Sequence, residues 1–349
     1  MTDDIRNKMI GTLAWTMFDR FGQQVIQFVI SVFLARLLTP NEYTLIALVV
    51  VFVSLSNSLV DGGFGSALVR KKTVDDTDLS TVFYFNVFVS ILLYTLLYFA
   101  APFIADFYEQ PKLVEISRII FLAILLNAFY LIPNIKLVRK IDVKIIALVN
   151  IVSVFFSGII GILMAANNLG VWALVGQQLS FQLIRVLTVY YFEAWNPKFL
   201  FSFKVIKESF SFSSNMLLTT VLNNIFNYVY ILILGKFFQK QEVGLYYQAN
   251  KLNDASSFSF QVILGSTYNV FVKIQDDGER LLRVYRELVR QSSIVTIPLI
   301  LFLVAVAEPL FFVLFTDKWM GAVPYFKMLS LASLFNPTYT LINSLLIYD

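Results

Sequence analysis

The sequence predicts an all-α polytopic membrane protein whose helices form two related lobes. Of its 349 residues, 58% are hydrophobic and only 14% are charged, and the mean hydropathy is +0.73. Ordinary soluble domains carry about 25% charged residues, so water is not the main solvent of this chain. Long apolar runs alternate with short polar breaks, and one stretch recurs 200 residues later. The apolar runs predict membrane-spanning helices, and the recurrence predicts the two lobes.

Ten apolar segments are each long enough to cross a bilayer as a helix, which takes roughly 20 residues. Turn-forming residues separate them, for example Pro40 after Thr39 and Pro197 after Asn196. A further amphipathic segment, 276–291, places arginines opposite apolar residues and is expected to lie along the membrane surface. The predicted spans are residues 12–36, 43–61, 80–106, 115–135, 143–166, 169–192, 209–236, 243–272, 291–315 and 322–347.

The distribution of Lys and Arg predicts the orientation of the chain. Every second loop is basic, and the positive-inside rule assigns these loops and the N-terminus to the cytoplasm. The basic set is Arg6, Lys8, Arg70, Lys71, Lys72, Lys136, Arg139, Lys140, Lys144, Lys198, Lys204, Lys207, Lys273, Arg280, Arg283, Arg286 and Arg290. The other loops hold only Arg36, Lys112, Lys236, Lys240 and Lys318. Arg118, Arg185 and Lys327 lie nearer helix ends and are expected to extend toward water.

The sequence contains no His and no Cys. Their absence excludes disulfides, thiolate or imidazole metal sites and histidine proton relays. Catalysis would have to rest on carboxylates, Lys, Ser or Tyr. We predict no metal site, no catalytic residues and no cofactor. The basic residues are dispersed between apolar segments and form no patch, so we predict no nucleic-acid partner.

An internal repeat relates the two halves of the chain. The segment LARLLTPNEYTLIAL (34–48) aligns without gaps with LGKFFQKQEVGLYYQ (234–248), pairing Glu42 with Glu242. Six predicted helices separate the two copies, so both start on the same side and form a parallel repeat. We predict an N-terminal lobe at 1–200 and a C-terminal lobe at 201–349. The second copy has about four helices where the first has six, so we expect the full-length protein to be longer.

Polar side chains recur at helical spacing within the predicted spans. Such groups are costly in a bilayer unless they face protein or water, so we expect them to line a cavity between the lobes. The alternative is that they are hydrogen-bonded contacts between helices, each contributing about 1 kcal/mol. The candidate substrate-binding residues are Arg20, Gln23, Gln24, Gln27, Asn223, Asn224, Asn227, Tyr247, Asn250 and Lys251.

The chemistry of these residues suits a sugar, because amides match hydroxyl groups and aromatic rings match the flat apolar faces. Arg20 and Lys251 would meet a phosphate or diphosphate. Three carboxylates in the spans are candidates for coupling to a cation, either H⁺ or Na⁺: Asp19, Asp61 and Asp254. Asp19 has a second interpretation, as a charge partner that makes Arg20 tolerable in the membrane.

Several stretches of the sequence resemble a known family. They are LARLLTPNEYTLIALVVVFVSLSNSLVDGGFGSALVRKK, DLSTVFYFN, AAPFIADFYEQPKL, GVWALVGQQL, GLYYQANKL and QDDGERLLRVYREL. Together they resemble the polysaccharide and O-antigen flippases of the multidrug/oligosaccharidyl-lipid/polysaccharide exporter superfamily. The resemblance runs through essentially the whole chain. Thr44 departs from it, because members commonly have Gly at this position.

The resemblance implies a two-lobed exporter fold of six plus six helices, with the second lobe truncated here. It also implies a protein of the bacterial inner membrane that moves a polyprenyl-diphosphate-linked oligosaccharide to the periplasmic leaflet by alternating access coupled to a cation gradient. The implied partners are this lipid-linked oligosaccharide, membrane lipids, and the polymerase and assembly proteins of surface polysaccharide synthesis.

Two other functions are compatible with a multi-pass helical protein. A drug exporter of the same superfamily would need a more apolar cavity with unpaired carboxylates rather than Arg20 and Lys251. A membrane-embedded polysaccharide polymerase would usually need a large loop or domain outside the membrane, and no loop here is long enough. We therefore expect a transporter rather than an enzyme.

Overall fold

The computed structural model describes residues 3–265 and 278–335, and this part of the chain is helical throughout apart from short connections. The all-α fold class is confirmed, since every predicted span overlaps a helix. The predicted spans 243–272 and 322–347 continue beyond the described residues. Lys273 lies outside them. The helices are α1 (Asp3–Leu37), α2 (Pro40–Asp61), α3 (Phe64–Arg70), α4 (Asp76–Phe107), α5 (Leu113–Ile120), α6 (Leu122–Lys140), α7 (Val143–Ala166), α8 (Val171–Phe192), α9 (Phe203–Phe237), α10 (Lys240–Gly265), α11 (Gly278–Ala305), α12 (Ala307–Phe315) and α13 (Val323–Ala332).

Six helical segments of the described residues are long and apolar enough to cross a membrane. Three more helices, α1, α8 and α10, have sufficient length but are interrupted by polar side chains, including most of the predicted site residues. The six segments are Pro40–Arg70, Asp76–Phe107, Leu113–Lys140, Val143–Ala166, Met216–Phe237 and Arg283–Ala305.

Turn and capping residues set the first helix boundaries. Thr39 begins α2 with a capping box, in which its backbone N–H donates to Glu42 Oε2 at 2.7 Å, and Pro40 occupies the first turn. The predicted break at Gly62 and Gly63 is present, with φ values of 55° and 75°. These left-handed conformations favour glycine, and they separate α2 from the short helix α3.

The chain divides into two compact units, Met1–Lys240 and Gln241–Asp349. Helix α9 packs within the first unit, against α2, α3 and α4. A buried apolar cluster that includes Phe64, Phe83, Trp195 and Ile206 anchors the beginning of α9 to α3 and α4. The predicted lobes 1–200 and 201–349, which assign α9 to the second lobe, stay a prediction.

The helix bounds reproduce the internal repeat. Helices α1 and α9 both contain 35 residues, and they begin at Asp3 and Phe203. The next helix of each copy begins at Pro40 and Lys240, again 200 positions apart. The sequence offset therefore corresponds to a repeat of whole helices.

Hydrogen bonds and ion pairs connect the loops of the first unit in two sets, one at each end of the helices. At one end, Arg139 donates to the carbonyls of Leu68 and Lys71 at 2.5 and 2.7 Å, and Lys198 pairs with Asp76. At the other end, backbone carbonyls accept from lysines: Phe107 from Lys236 at 2.9 Å and Glu109 from Lys240 at 2.7 Å. The predicted basic loops that contain Arg70, Arg139 and Lys198 thus share one end, which we call the basic end. Its assignment to the cytoplasm stays a prediction.

The second unit has an aromatic core. Trp319, Phe311, Phe315 and Phe326 are all buried within it. The predicted span 291–315 is divided between α11 and α12, with a break at Val306. The predicted surface segment 276–291 is, where described, continuous with the span in α11. Its position along the membrane surface stays a prediction.

Candidate functional site

Polar side chains from several helices of the first unit converge around Asp19. Gln23, one turn further along α1, donates from Nε2 to Asp19 Oδ1 at 2.7 Å. Asn150 of α7 approaches the same carboxylate, with Nδ2 at 3.3 Å from Oδ2. Helix α1 can lie this close to α7 because Gly158 has no side chain: a Cβ there would stand 2.0 Å from Ile30 Cδ1.

An arginine and a tyrosine extend this group of residues. The Arg185 guanidinium carbon of α8 lies 3.6 Å from the centroid of the Tyr130 ring in α6. The Tyr130 hydroxyl donates to Asn134 Oδ1 at 2.7 Å, and both Arg185 and Asp19 interact with it electrostatically. We call Asp19, Gln23, Tyr130, Asn150 and Arg185 the inner polar cluster. It holds a carboxylate and a guanidinium among neutral partners, which lowers the cost of charge at bilayer depth.

The sequence analysis missed three members of this cluster, namely Tyr130, Asn150 and Arg185. The expectation that Arg185 extends toward water is wrong, because its side chain lies over an aromatic ring. Arg118 likewise stacks on Tyr98, at 4.3 Å from the ring centroid. The i, i+3 spacing of Gln182 and Arg185 on α8 was the available signal, since it marks a polar face within an apolar span.

The remaining stripe residues of α1 and α9 differ in their surroundings. Arg20 and Gln27 are exposed in α1, and Asn223 and Asn227 are exposed in α9. Gln24 is half-buried. Asn224 donates instead to Ser58 Oγ of α2 at 2.6 Å, which fits the interhelical alternative for this residue. A cavity lined by the two stripes stays a prediction.

Further contacts hold α9 and the first residue of α10 against α2 and the Gly62–Gly63 break. Ser54 Oγ donates to the Tyr228 hydroxyl at 3.1 Å. Gly63 approaches α9 closely, because a Cβ there would lie 2.8 Å from the Ser213 carbonyl oxygen. Thr44, the departure from the family pattern, donates to the carbonyl of Lys240 at 2.5 Å. The hydroxyl at position 44 thus contributes a contact that Gly would not make.

The predicted site residues of α10 interact one turn apart. The Lys251 ammonium lies 5.7 Å from the centroid of the Tyr247 ring. Asn250 donates from Nδ2 to Asp254 Oδ2 at 3.1 Å. Both pairs are four residues apart and belong to the second unit, where they form a polar strip along the helix.

The three candidate coupling carboxylates have different environments. Asp61 accepts a hydrogen bond from the Gly65 N–H and thereby supports the start of α3. Asp254 is exposed and contacts Asn250. Asp19 has partners from two helices in the inner polar cluster. Of the three, Asp19 is the carboxylate that accepts hydrogen bonds from side chains of two helices, and these bonds would change if its charge changed.

Two solved structures of transporters have a similar fold. One is the inward-facing conformation of a multidrug resistance MATE family transporter of the MOP superfamily, with a TM-score of 0.63 and 13% identity, covering 93% of this chain and 83% of that one. Another is a mutant of the Vibrio cholerae MATE transporter VcmN, with a TM-score of 0.51 and 10% identity, covering 99% and 86%. The chain is therefore a multi-pass membrane protein with a MATE-like fold.

The family is defined by sequence. Residues 33–324 match the model of a family described as polysaccharide biosynthesis protein, and the chain belongs to that family. The predicted resemblance is thereby confirmed. The two solved structures that share the fold are transporters.

Three curated relatives match nearly the whole chain. The Bacillus subtilis (strain 168) teichuronic acid biosynthesis protein TuaB is 23% identical, over 95% of this chain and 69% of its own length. The Rhizobium meliloti (strain 1021) succinoglycan biosynthesis transport protein ExoT is 25% identical, over 95% and 68%. The Escherichia coli (strain K12) lipopolysaccharide biosynthesis protein WzxC is 22% identical, over 98% and 70%.

Proposed function

We propose that this protein moves polyprenyl-diphosphate-linked oligosaccharide repeat units from the cytoplasmic to the periplasmic leaflet of a bacterial inner membrane. It does so by alternating access, for surface polysaccharide biosynthesis. The observation that carries the proposal is the family match of residues 33–324 on an exporter fold. The names of the relatives, which include a succinoglycan biosynthesis transport protein, support the same class of cargo.

The predicted site residues suit this cargo. The exposed amides of Gln27, Asn223 and Asn227 would exchange hydrogen bonds with sugar hydroxyls at little cost. The exposed guanidinium of Arg20 would bind the diphosphate, since its planar donor set matches phosphate oxygens. The basic end of the first unit would face the cytoplasm. The polymerase and assembly proteins of surface polysaccharide synthesis would be its partners.

Transport requires a driving force, for which we propose a cation gradient. We assign the binding of the coupling cation to Asp19. Neutralising this carboxylate with H⁺, or screening it with Na⁺, would change the balance of charge in the inner polar cluster. The surrounding hydrogen bonds from Gln23 and Asn150 would then rearrange, which links cation binding to helix packing. Asp254 and Asp61 are the alternative coupling residues.

The proposal is tested by reconstitution and by complementation. Purified protein in liposomes is expected to move a fluorescent polyprenyl-diphosphate oligosaccharide between leaflets. In a host without its own flippase, expression is expected to restore surface polysaccharide. Efflux of a cationic dye without movement of the lipid-linked sugar would favour the drug-exporter alternative. Polymerisation of the repeat unit by the purified protein would favour the polymerase.

The role of Arg20 has its own test. Arg20→Ala is expected to lower transport at least about tenfold, the effect of losing one charge-assisted contact with phosphate. Lys112→Ala removes an exposed cation from a loop that is not part of the predicted site, so it serves as the control. Equal transport by Arg20→Ala and wild type, at equal membrane levels, would exclude the phosphate contact.

A further inference from the structure

The connection between α8 and α9 presents apolar side chains, although it lies between the predicted spans 169–192 and 209–236 and belongs to neither. The ring of Phe199 is 99% exposed, and Leu200 and Phe201 beside it are also exposed. We call these three residues the apolar tip. A contiguous group of exposed apolar side chains is unfavourable in water and marks a surface that contacts something else.

Hydrogen bonds hold the connection against α4 on both sides of the apolar tip. The backbone N–H of Lys198 donates to Ser80 Oγ at 3.1 Å. The backbone N–H of Ser202 donates to Thr81 Oγ1 at 3.0 Å, and both hydroxyl residues are buried in α4. Trp195, at the start of the connection, is buried in the apolar cluster that anchors α9. The tip is therefore held in place, and its exposure is a fixed feature of the fold.

The contacts of the tip with α4 indicate its depth in the membrane. After Asp78, α4 carries no charged residue until Asp106. The ring centroid of Phe199 lies 6.4 Å from that of Tyr84, and the two rings are nearly parallel. Tyr84 follows Asp78 by six residues, which at roughly 1.5 Å of rise per residue is about 9 Å along the helix. The tip therefore lies beside the uncharged part of α4 that crosses the membrane.

This depth indicates what covers the tip. Segments that lie in a membrane interface bury their apolar side chains about 5–10 Å into the boundary between headgroups and acyl chains. Irregular backbone at such a depth needs hydrogen-bond partners within the protein, and the hydroxyls of Ser80 and Thr81 supply them. Lys207, on the first turns of α9, is exposed and suits the headgroup layer next to the tip.

We propose that residues 198–202 are a lipid anchor, in which Phe199, Leu200 and Phe201 insert among the acyl chains of the leaflet at the basic end. The anchor fixes the depth at which α9 begins, and hence the level at which the two copies of the repeat are joined. It rests on the membrane location of the chain and not on the transported substrate. Either this proposal or the transport proposal can therefore fail alone.

The test uses single thiols in the full chain in liposomes, since the protein has no native Cys. Phe199→Cys is expected to react with a charged, membrane-impermeant maleimide at least about tenfold more slowly than Lys72→Cys, because apolar surroundings disfavour both the thiolate and the charged reagent. Lys72 is exposed, and its carbonyl accepts from Arg139 at the same end of the protein. A mixed orientation in the liposomes thus affects both variants equally. Phe88→Cys, at an exposed position further along α4, is the control within the membrane and is expected to stay unlabelled.

A second measurement identifies what covers the thiol. A fluorophore attached to Phe199→Cys is expected to be quenched by lipids brominated in their acyl chains, and more strongly than the same fluorophore on Lys72→Cys. Labelling of Phe199→Cys as fast as that of Lys72→Cys would overturn the anchor. Slow labelling without quenching, or slow labelling that is lost when the protein is diluted in lipid, would assign the tip to a second copy of the chain and overturn the lipid.

The role of the two hydroxyls is tested in the same assay. Ser80→Ala together with Thr81→Val removes both acceptors, so the backbone N–H groups would move toward water and the labelling of Phe199→Cys is expected to accelerate. Ser90→Ala is the matched control, because this buried hydroxyl of α4 donates within its own helix, to the carbonyl of Val87. The rates are compared at equal recovery of folded protein. An unchanged rate in the double variant would overturn the role of the hydroxyls in holding the tip.

Discussion

At the scale of single residues, Glu193 shows how this protein holds charge next to the membrane. Its carboxylate is largely buried at the end of α8 and contacts the ammonium groups of Lys136 and Lys140 at 2.7 and 2.5 Å. Burial raises the pKa of Glu193, but the hydrogen bonds and positive charges of the two lysines outweigh it and hold the pKa below its ordinary value. The charged form therefore stabilises the folded state.

Glu193→Gln is expected to lower the free energy of unfolding at pH 7 by about 1–2 kcal/mol, the size of a hydrogen-bonded charge contact. Because the folded pKa is depressed, this stabilisation is present above the ordinary pKa of about 4.5 and is lost as the pH falls below it. Thermal unfolding at pH 7 and at pH 4 measures the difference. Glu109→Gln, at a carboxylate that is 79% exposed, is the control. This account would be contradicted if the midpoints of thermal unfolding of Glu193→Gln and wild type differed as much at pH 4 as at pH 7.

Tyr130 contributes to the inner polar cluster in two separable ways, through its ring and through its hydroxyl. Tyr130→Phe keeps the ring beneath Arg185 and removes only the bond to Asn134, so we expect a loss of about 1 kcal/mol. Tyr130→Leu also removes the cation–π contact and is expected to cost about 1–2 kcal/mol more. Unfolding in a graded denaturing detergent compares the two. Equal losses would mean that the ring does not stabilise the guanidinium.

At the scale of elements, the α2–α3 break determines how closely α9 can approach. Gly63 has a φ of 75°, and a Cβ there would lie 2.8 Å from the Ser213 carbonyl oxygen. Gly63→Ala is therefore expected to destabilise the protein by about 2–3 kcal/mol, through backbone strain and displacement of α9. Gly11→Ala is the matched control, because a Cβ at position 11 meets nothing within 4 Å. The midpoint of thermal unfolding is measured for both variants. Similar midpoints for Gly63→Ala and Gly11→Ala would contradict the close approach of α9 to Gly63.

The sequence predicted the elements well because their causes are local. Each of these causes affects the backbone only within a few residues of itself. Examples are an apolar run, Pro40 at a helix start and the Gly62–Gly63 pair. The periodicity of polar residues likewise identified Asp19 and Gln23 on one face of α1. It could not identify Asn150, Tyr130 or Arg185 as their neighbours, because neighbouring helices are chosen by packing across the whole unit. Gly158 is an example, since its role is visible only when Ile30 lies against it.

At the scale of the whole molecule, the position of α9 determines what moves during transport. Its contacts to α2 at Ser58 and Ser54 lie within one compact unit, whereas the repeat assigns α9 to the second lobe. If the lobes 1–200 and 201–349 move as bodies, these contacts must break in each cycle. The chain has no native Cys, so an introduced pair is unique.

Joining α2 to α9 is therefore expected to stop transport. We would introduce Ser58→Cys together with Asn224→Cys, whose side chains are 2.6 Å apart at their polar atoms. Oxidation, or a short bifunctional mercury or maleimide reagent, is expected to reduce transport at least about tenfold. Reductant restores the oxidised sample, and each single variant is the control. Full transport by the joined protein would mean that α9 moves with the first unit, and would replace the predicted lobe boundary.

The equal lengths of α1 and α9, and the six predicted spans that separate their starts, have a consequence for the origin of the fold. An even number of crossings returns the chain to the side on which it began. A tandem duplication of one such gene segment therefore inserts the second copy in the same direction as the first, and the short connection 193–202 is sufficient to join them.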